Sequence, residues 1–427
     1  MSLLDLDDAL LRMRALLTSV PETERLPLEA ALGRSCASDL RAPADIPSFA
    51  NSAMDGYAVQ WHAALGQHAP TDLTQIGTGF AGRAFTGRLM QPTECVRIFT
   101  GAPMPQGADT VVIQENVRAE HDRITVLEPA AKGQWVRMAG HDLRAGAIVV
   151  AAGTRLRAQH IGLCTAAGLT HVDVRRSVRV AVMSNGDELI DAGQPLAPGQ
   201  IYDSNRATLK ALLASEPVTV IDLGRVPDTE AAIQSSIDQA RASAADLLLC
   251  SGGVSVGDAD LVRQVVQRNG DIDFWRIAIK PGKPLAFARL HPAESASPEA
   301  TFTQHARAPG ACWFIGLPGN PVSTFITYQT IVRAAIDHLA GITPRAAITV
   351  KAQLLHAIDK DAGRLELQRG ILTTDADGIT TVRNTGNQSS GMLSSVVAAN
   401  CFILLPREQG AVAKGDWAQV LPFEGAL

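Results

Sequence analysis

The sequence predicts a multidomain α/β protein. It has a doubly wound, mainly parallel sheet at its centre, a β-rich insertion near the N-terminus, a small α/β linking domain and a C-terminal β domain. Three observations predict this. The 427-residue chain is too long for one ordinary core. From Ser177 to Leu339, apolar strand-like runs alternate with helical spacings, the pattern of successive βα units. On either side, short apolar segments are separated by glycine and polar residues, as in β-rich modules.

At the start, Ser2 or Asp5 caps a helix with Leu6, Leu10, Met13 and Leu17 along one face, ending before Pro21. That face must pack on something distant, so residues 1–24 are assigned as a helical segment resting on the α/β domain. A short helical stretch, Pro27 to Leu32, closes at Gly33. Ala42 to Val59 holds Pro43, Pro47, Asn51-Ser52 and Asp55-Gly56, and reads as extended and turned. Strands at Leu73–Ile76, Cys95–Phe99, Thr110–Ile113 and Ile124–Leu127 make an inserted β-rich domain of residues 46–139. Inside it, I-F-T-G-A-P-M-P-Q-G-A-D (98–109) is a proline-stiffened turn that presents Thr100, or else a plain connection. If 46–139 is an insertion, residues 25–45 and 140–176 form one linking domain in space, with a helix at Gln159–Ala167.

The doubly wound domain spans 177–340, with strands at Val178–Met183, Val218–Leu223, Leu247–Cys250, Phe274–Ile279, Pro284–Leu290 and Cys312–Gly316. Its helices are Ser204–Leu213, capped by Asp203 or Ser204, Thr229–Ala242, capped by Asp228, and Pro321–Leu339. A further helix, capped by Asp258, carries Leu261, Val262, Val265 and Val266 at helical spacing. The small, polar segment between Leu290 and Ala311 reads as a mobile surface loop. Residues 341–427 return to strands: Ile348–Leu355, Arg364–Leu372, Ile379–Arg383, Cys401–Leu405 and Trp417–Leu421. The polar turn Asn387-Gln388-Ser389-Ser390-Gly391 either faces a neighbouring site or is solvated.

Composition excludes several classes. A net charge of -5 and the lack of a basic run argue against nucleic acid as partner. The acidic N-terminus is not a signal peptide and no stretch is long enough to span a bilayer, so a cytoplasmic location is expected. Six scattered cysteines without C-x-x-C pairs read as reduced packing residues, and ten histidines show no zinc-ligand spacing.

The chemistry concentrates after the third strand. D-L-L-L-C-S-G-G-V-S-V-G-D-A-D (246–260) is a run with no polar alternation, as expected of a strand covered on both faces. It feeds a glycine loop and a helix N-terminus, an arrangement suited to phosphate because free N–H groups and the helix dipole point at one spot. Asp258 and Asp260 beside a phosphate suggest a bridging divalent metal. Three other loops should meet this one at the C-terminal edge of the sheet. They are S-N-G-D-E (184–188) with two acids, I-K-P-G-K-P (279–284) with two lysines, and G-L-P-G-N-P (316–321), where Asn320 caps and Pro321 starts a helix. Singly each is an ordinary turn; together they form an active-site edge.

These motifs, with S-A-M-D-G-Y-A (52–58), R-I-F-T-G-A-P-M-P-Q-G-A-D (97–109), S-N-G-D-E-L (184–189) and I-Y-D-S-N (201–205), run in fixed order over nearly the whole chain. The sequence resembles the MoeA family of molybdopterin molybdenumtransferases, which includes the E domain of gephyrin. The resemblance implies a homodimer of elongated four-domain subunits with a MogA-like doubly wound domain. It also implies insertion of molybdenum from molybdate into adenylylated molybdopterin, with Mg2+ and release of AMP. Contact with a molybdopterin adenylyltransferase and with acceptor molybdoenzymes is a further implication. The family's functional acids match Asp55, Asp142, Glu188, Asp228 and Asp260; its threonine matches Thr100 and its second lysine Lys280. Arg276 stands where the family often has the first lysine, a planar fork in place of a point charge. On this reading Ser251, Gly252, Gly253, Ser255, Lys283, Pro318, Asn320 and Pro321 hold the pterin phosphate. Asp187, Glu188, Asp258 or Asp260 bind Mg2+ at the pyrophosphate, and Lys280 with Arg276 attracts molybdate. Asp55 and Thr100 reach the cleft only across a domain or subunit boundary, so the partner subunit is expected to supply them. A molybdopterin adenylyltransferase would resemble the doubly wound domain alone, and a scaffold would not need these acids and lysines.

Overall fold

The computed structural model describes residues 3–254, 260–292 and 312–423, so Ser2, Ser255, Asp258 and most of the expected loop at 290–311 lie outside the described residues. At the centre is a six-stranded sheet in the order 218–226, 178–185, 247–251, 312–317, 284–290, 270–276. The first four strands are mutually parallel and the last two pairings are antiparallel. Alternation explains the unbroken apolar run at the centre. Leu247 and Leu249 pack into one core with Val180, Val182 and Ile315, while Leu248 and Cys250 pack into another with Ala181, Met183 and Phe314.

The helices depart from expectation in their caps. Thr229, not Asp228, caps Glu230–Ala242: its side chain accepts from the Ala232 N–H, because Thr229 is the residue adjacent to the first helical position. Asp260 caps Leu261–Asn269 by accepting from the Arg263 N–H at 3.0 Å, the role expected of Asp258. Asp203 does cap Ser204–Ala214. The expected long helix after Pro321 is helical throughout, but a π turn at Tyr328–Val332 separates Pro321–Thr327 from Arg333–Leu339.

The expected strand Phe274–Ile279 is two elements. Gly270–Arg276 is the edge strand of the central sheet, and Ile279–Lys280 leaves that sheet to pair in parallel with Leu365–Glu366. Between them Ile277 bridges Leu4 and the Ala278 N–H donates to the Leu4 carbonyl, which ends the first strand.

The N-terminal helix, Leu6–Leu16, buries Ala9 and Met13, with Leu17 following, against the core of the doubly wound domain. Its Asp5 makes no side-chain cap and instead accepts from Arg407 at 2.7 Å. Thr23–Pro27 pairs with His171–Arg175 and Leu40–Arg41 with Ile148–Val150, around a separate core that includes Leu28, Leu156 and Val172. Arg155, from this unit, donates to Glu216 at 2.7 Å and to Asp337, tying it to the doubly wound domain. A six-stranded sheet lies between those paired segments in sequence, in the order 110–113, 56–59, 94–98, 71–79, 123–126, 117–120. At the C-terminus, Leu365–Thr374 pairs with both Thr380–Asn384 and Cys401–Leu405, closing the sheet into a barrel. All six cysteines are buried, and burial pushes the Cys250 thiol well up. No helix of the described residues is long and apolar enough to cross a membrane.

Candidate functional site

Two loops at the C-terminal edge of the sheet touch with no space for side chains. A Cβ on Gly252 would lie 2.3 Å from the Asn185 carbonyl oxygen, and one on Gly253 2.2 Å from Asn185 Oδ1, with φ of +84° and +64° respectively. The Gly252 N–H donates to the Leu317 carbonyl at 3.2 Å, binding a third loop to the pair. At this junction Ser251 Oγ and Asn185 Oδ1 are buried and, among the described residues, have no hydrogen-bond partner. Such orphaned atoms mark a place for a ligand group.

The acidic loop is fixed from the other side. Asp187 Oδ1 accepts from the Asp228 N–H at 3.0 Å, so these two acids sit on adjoining loops. The Glu188 carboxylate lies over the backbone of Gly186, where a Cβ would stand 2.5 Å from its oxygen and displace it. Glu188 lines a cleft of about 960 Å³ together with Lys280, Lys283, Pro318, Gly319 and Asn320. Asn205 donates to the Gly319 carbonyl at 2.7 Å and Thr324 to the Pro318 carbonyl at 2.6 Å, which stiffens this wall. Pro321 occupies the first turn of its helix as expected. Asn320 makes no side-chain cap there; it faces the cleft, and the N–H of Val322 is taken by the Ser390 carbonyl at 3.2 Å.

Ser390 belongs to the opposite wall, which the barrel supplies: Arg364, Glu366, Leu367, Arg369 and Asn387–Ser390. The polar turn therefore faces the cleft. Arg369, fully buried, holds it in place. Its Nε donates to Ser395 Oγ at 3.0 Å and Nη2 to the Ser389 carbonyl at 3.1 Å, while its backbone N–H donates to Gln388 Oε1 at 2.8 Å. Burial pushes the Arg369 guanidinium below its ordinary range. Glu366, 7 % exposed, pairs with Lys280 at 3.1 Å and accepts from Gln368 at 2.9 Å. Among the described residues, Lys283 and Arg364 have no carboxylate partner within ion-pair distance.

Not every expected site residue meets here. Arg276, at the exposed end of its strand, is not among the cleft-lining residues, and neither are Asp187, Asp228 and Asp260. Asp55, Thr100 and Asp142 lie in the N-terminal half, outside the cleft lining. Asp55 Oδ1 accepts from both the N–H and the hydroxyl of Thr100, each at 2.8 Å. Those two bonds, helped by Arg97, hold its carboxyl below the usual range. Arg97 is itself set by the carbonyl of Gly56 at 3.1 Å and by the faces of Tyr57 and Phe99. Among the described residues, no three His, Cys, Asp or Glu side chains converge to ligate a metal.

The site residues absent from the sequence reading are Arg364, Glu366 and Arg369. They lie in R-L-E-L-Q-R, where polar residues alternate with leucine as on any strand with one wet face. The signal for Arg369 is its place beyond that alternation, next to Gly370.

Residues 4–168 match the MoeA N-terminal region (domain I and II), 181–338 the probable molybdopterin binding domain, and 351–423 the MoeA C-terminal region (domain IV). The chain is 39 % identical over 432 residues to the molybdopterin molybdenumtransferase of Haemophilus influenzae, covering 100 % of both. It is 28 % identical to gephyrin of Dictyostelium discoideum, over 94 % of this chain and 59 % of that protein. Among solved structures, the molybdopterin biosynthesis MoeA protein of Pyrococcus horikoshii superposes with a TM-score of 0.80 at 27 % identity, over 99 % of this chain and 100 % of that one.

Proposed function

This chain belongs to the MoeA family of molybdopterin molybdenumtransferases, and on that premise we propose that it transfers molybdenum from molybdate to adenylylated molybdopterin in the cleft between the doubly wound domain and the barrel. One observation carries the placement. Lys280, Lys283 and Arg364 converge on a cleft of about 960 Å³ whose lining, among the described residues, includes two carboxylates, Glu188 and Glu366. Molybdate is a compact dianion and the substrate carries phosphates, so a cationic cleft suits both. Its volume matches the upper range of small-molecule sites.

In this reading the loop at Ser251–Gly253, with the orphaned Ser251 hydroxyl, binds the pterin phosphate, and Lys283 and Arg364 hold oxyanions at the mouth. Arg276 is left outside this set by its position. Mg2+ fits the donors present if substrate phosphates complete its shell, since it commonly takes only one or two carboxylates from protein. Of the expected metal acids among the described residues, Glu188 lines the cleft and would hold it, with Asp187 next to it in the chain but outside the lining. When bound, the ion neutralises charge on the pyrophosphate. Asp55, kept ionised by Thr100, completes the site from the partner subunit of a homodimer.

The test incubates the purified chain with adenylylated molybdopterin, Mg2+ and increasing molybdate, following AMP release and pterin-bound molybdenum together. Both should appear and depend on molybdate and on the metal. Pterin binding without either product would overturn the transferase reading.

A further inference from the structure

The cleft holds an anion of its own. Glu366 is the residue directly across the parallel register from Lys280, so backbone pairing and the ion pair fix the two together. Its carboxylate is fully engaged: Oε2 accepts from Lys280 and Oε1 from Gln368, whose own oxygen accepts from Asn384 at 3.3 Å. The carboxylate is nearly sealed from solvent, whereas the Lys280 side chain is 50 % exposed, with the exposed part at the cleft. Arg364, just before that strand, and Lys283 line the same cleft, and so does Glu188.

We propose that Glu366 is a resident competitor that sets how tightly Lys280 binds an oxyanion. The inference rests on the reading that Lys280 contacts an oxyanion in this cleft. A dianion is drawn by Lys280, Lys283 and Arg364 at once, but the fixed charge of Glu366 acts on each of its charges and so opposes it about twice as strongly as it opposes a monoanion. Glu366 therefore tempers the grip of a general cation patch, most of all on doubly charged ions. It keeps the site from holding its substrate too firmly to pass it on. Glu366 acts through Lys280 and is a positioning residue, not a catalytic one.

The test measures binding of sodium molybdate, and of nitrate as a monoanion, by calorimetry at fixed pH and ionic strength. The proteins compared are wild type, Glu366→Gln, Lys280→Ala and the double variant, each checked for native circular dichroism. The Lys280 end of the pair is half-exposed and such pairs are worth little, so Glu366→Gln should tighten molybdate by roughly three- to tenfold and nitrate by a smaller factor, as its single charge requires. The gain should vanish in the Lys280→Ala background. Glu366→Asp, which keeps the charge but withdraws it from Lys280, should fall between, and it serves if Glu366→Gln does not fold. Weaker or unchanged molybdate binding in Glu366→Gln, or a gain that survives loss of Lys280, overturns the proposal and leaves Glu366 as a strut. If Lys280→Ala binds molybdate as wild type does, the reading of Lys280 fails, and the inference falls with it for a separate and recognisable reason.

Discussion

Replacing Arg369 with methionine tests whether a buried guanidinium shapes the cleft wall. The side chain makes two well-formed donations, to Ser395 at 3.0 Å and to the Ser389 carbonyl at 3.1 Å. Charge-assisted bonds contribute about 1.5–3 kcal/mol each, giving a gross loss of about 3–6 kcal/mol. Part is returned, because methionine has no charge to desolvate; the lowered proton affinity of Arg369 shows that burial already opposes its charge. A net cost of about 2 kcal/mol, concentrated at the turn Asn387–Ser390, corresponds to roughly a thirtyfold rise in local opening. The reporter is the Val322 amide, whose proton is held by the Ser390 carbonyl across the domain boundary. Native-state hydrogen exchange should show Val322 exchanging about thirtyfold faster, with strands such as Leu247–Ser251 unchanged. Lysine at 369 should recover only part of the protection, since one point charge cannot serve both acceptors. Unaltered exchange at Val322 in a folded Arg369→Met protein would refute the reasoning.

Gly252→Ala should destabilise by more than 2 kcal/mol, because its Cβ would lie 2.3 Å from a backbone oxygen at φ +84°. Gly33→Ala, at φ +80° with nothing within 4 Å, should cost only about 1 kcal/mol. Chemical denaturation of both separates crowding from backbone strain, and equal losses would remove the crowding argument. Thr100→Ala takes away the hydroxyl bond to Asp55 but leaves the N–H bond, so the Asp55 midpoint in a carboxyl-carbon NMR titration should move part of the way up. The sign follows from a carboxyl depressed on folding: its stabilisation is present above the ordinary carboxylate range and lost as pH falls through the folded midpoint, so the variant loses it at higher pH. Arg155→Met leaves Asp337 without its cation, beside a Glu216 that keeps Arg333 at 3.2 Å, and should cost at most about 3 kcal/mol near neutrality. Burial raises the Asp337 pKa, so protonation relieves the deficit early, and thermal scans should show it shrinking as pH is lowered.

The doubly wound pattern was legible because its central strands had a single possible reading, unlike the edge stretch Phe274–Ile279, which divides between two sheets. Leu247–Cys250 is apolar at every position, and no amphipathic helix of that length explains it. The loops at 184–188, 251–253 and 316–321 were legible for a related reason: strand order places their ends at one edge, and polar residues there need a use. Gly56–Val59 escaped because glycine and tyrosine open a four-residue strand whose residues are all buried, so no alternation shows. The caps shifted by one or two positions at Thr229 and Asp260, since several capping residues stand together and only backbone geometry selects one. The barrel's share of the site was least visible. Glu366 matters because of what lies opposite it, 86 positions away in the chain, and pairing between distant segments leaves no local pattern.

The pairing of Ile279–Lys280 with Leu365–Glu366 also sets where this protein can be divided. A fragment ending near residue 340 would retain the parallel sheet and its glycine loop, yet its lysine-bearing strand would lose the edge that aligns it. Exchanging the barrel for that of a relative would keep the alignment of Lys280 only where a carboxylate stands opposite it. The unit of inheritance for this site is thus a lysine and a glutamate from separate modules, and grafting either module alone transplants half a device.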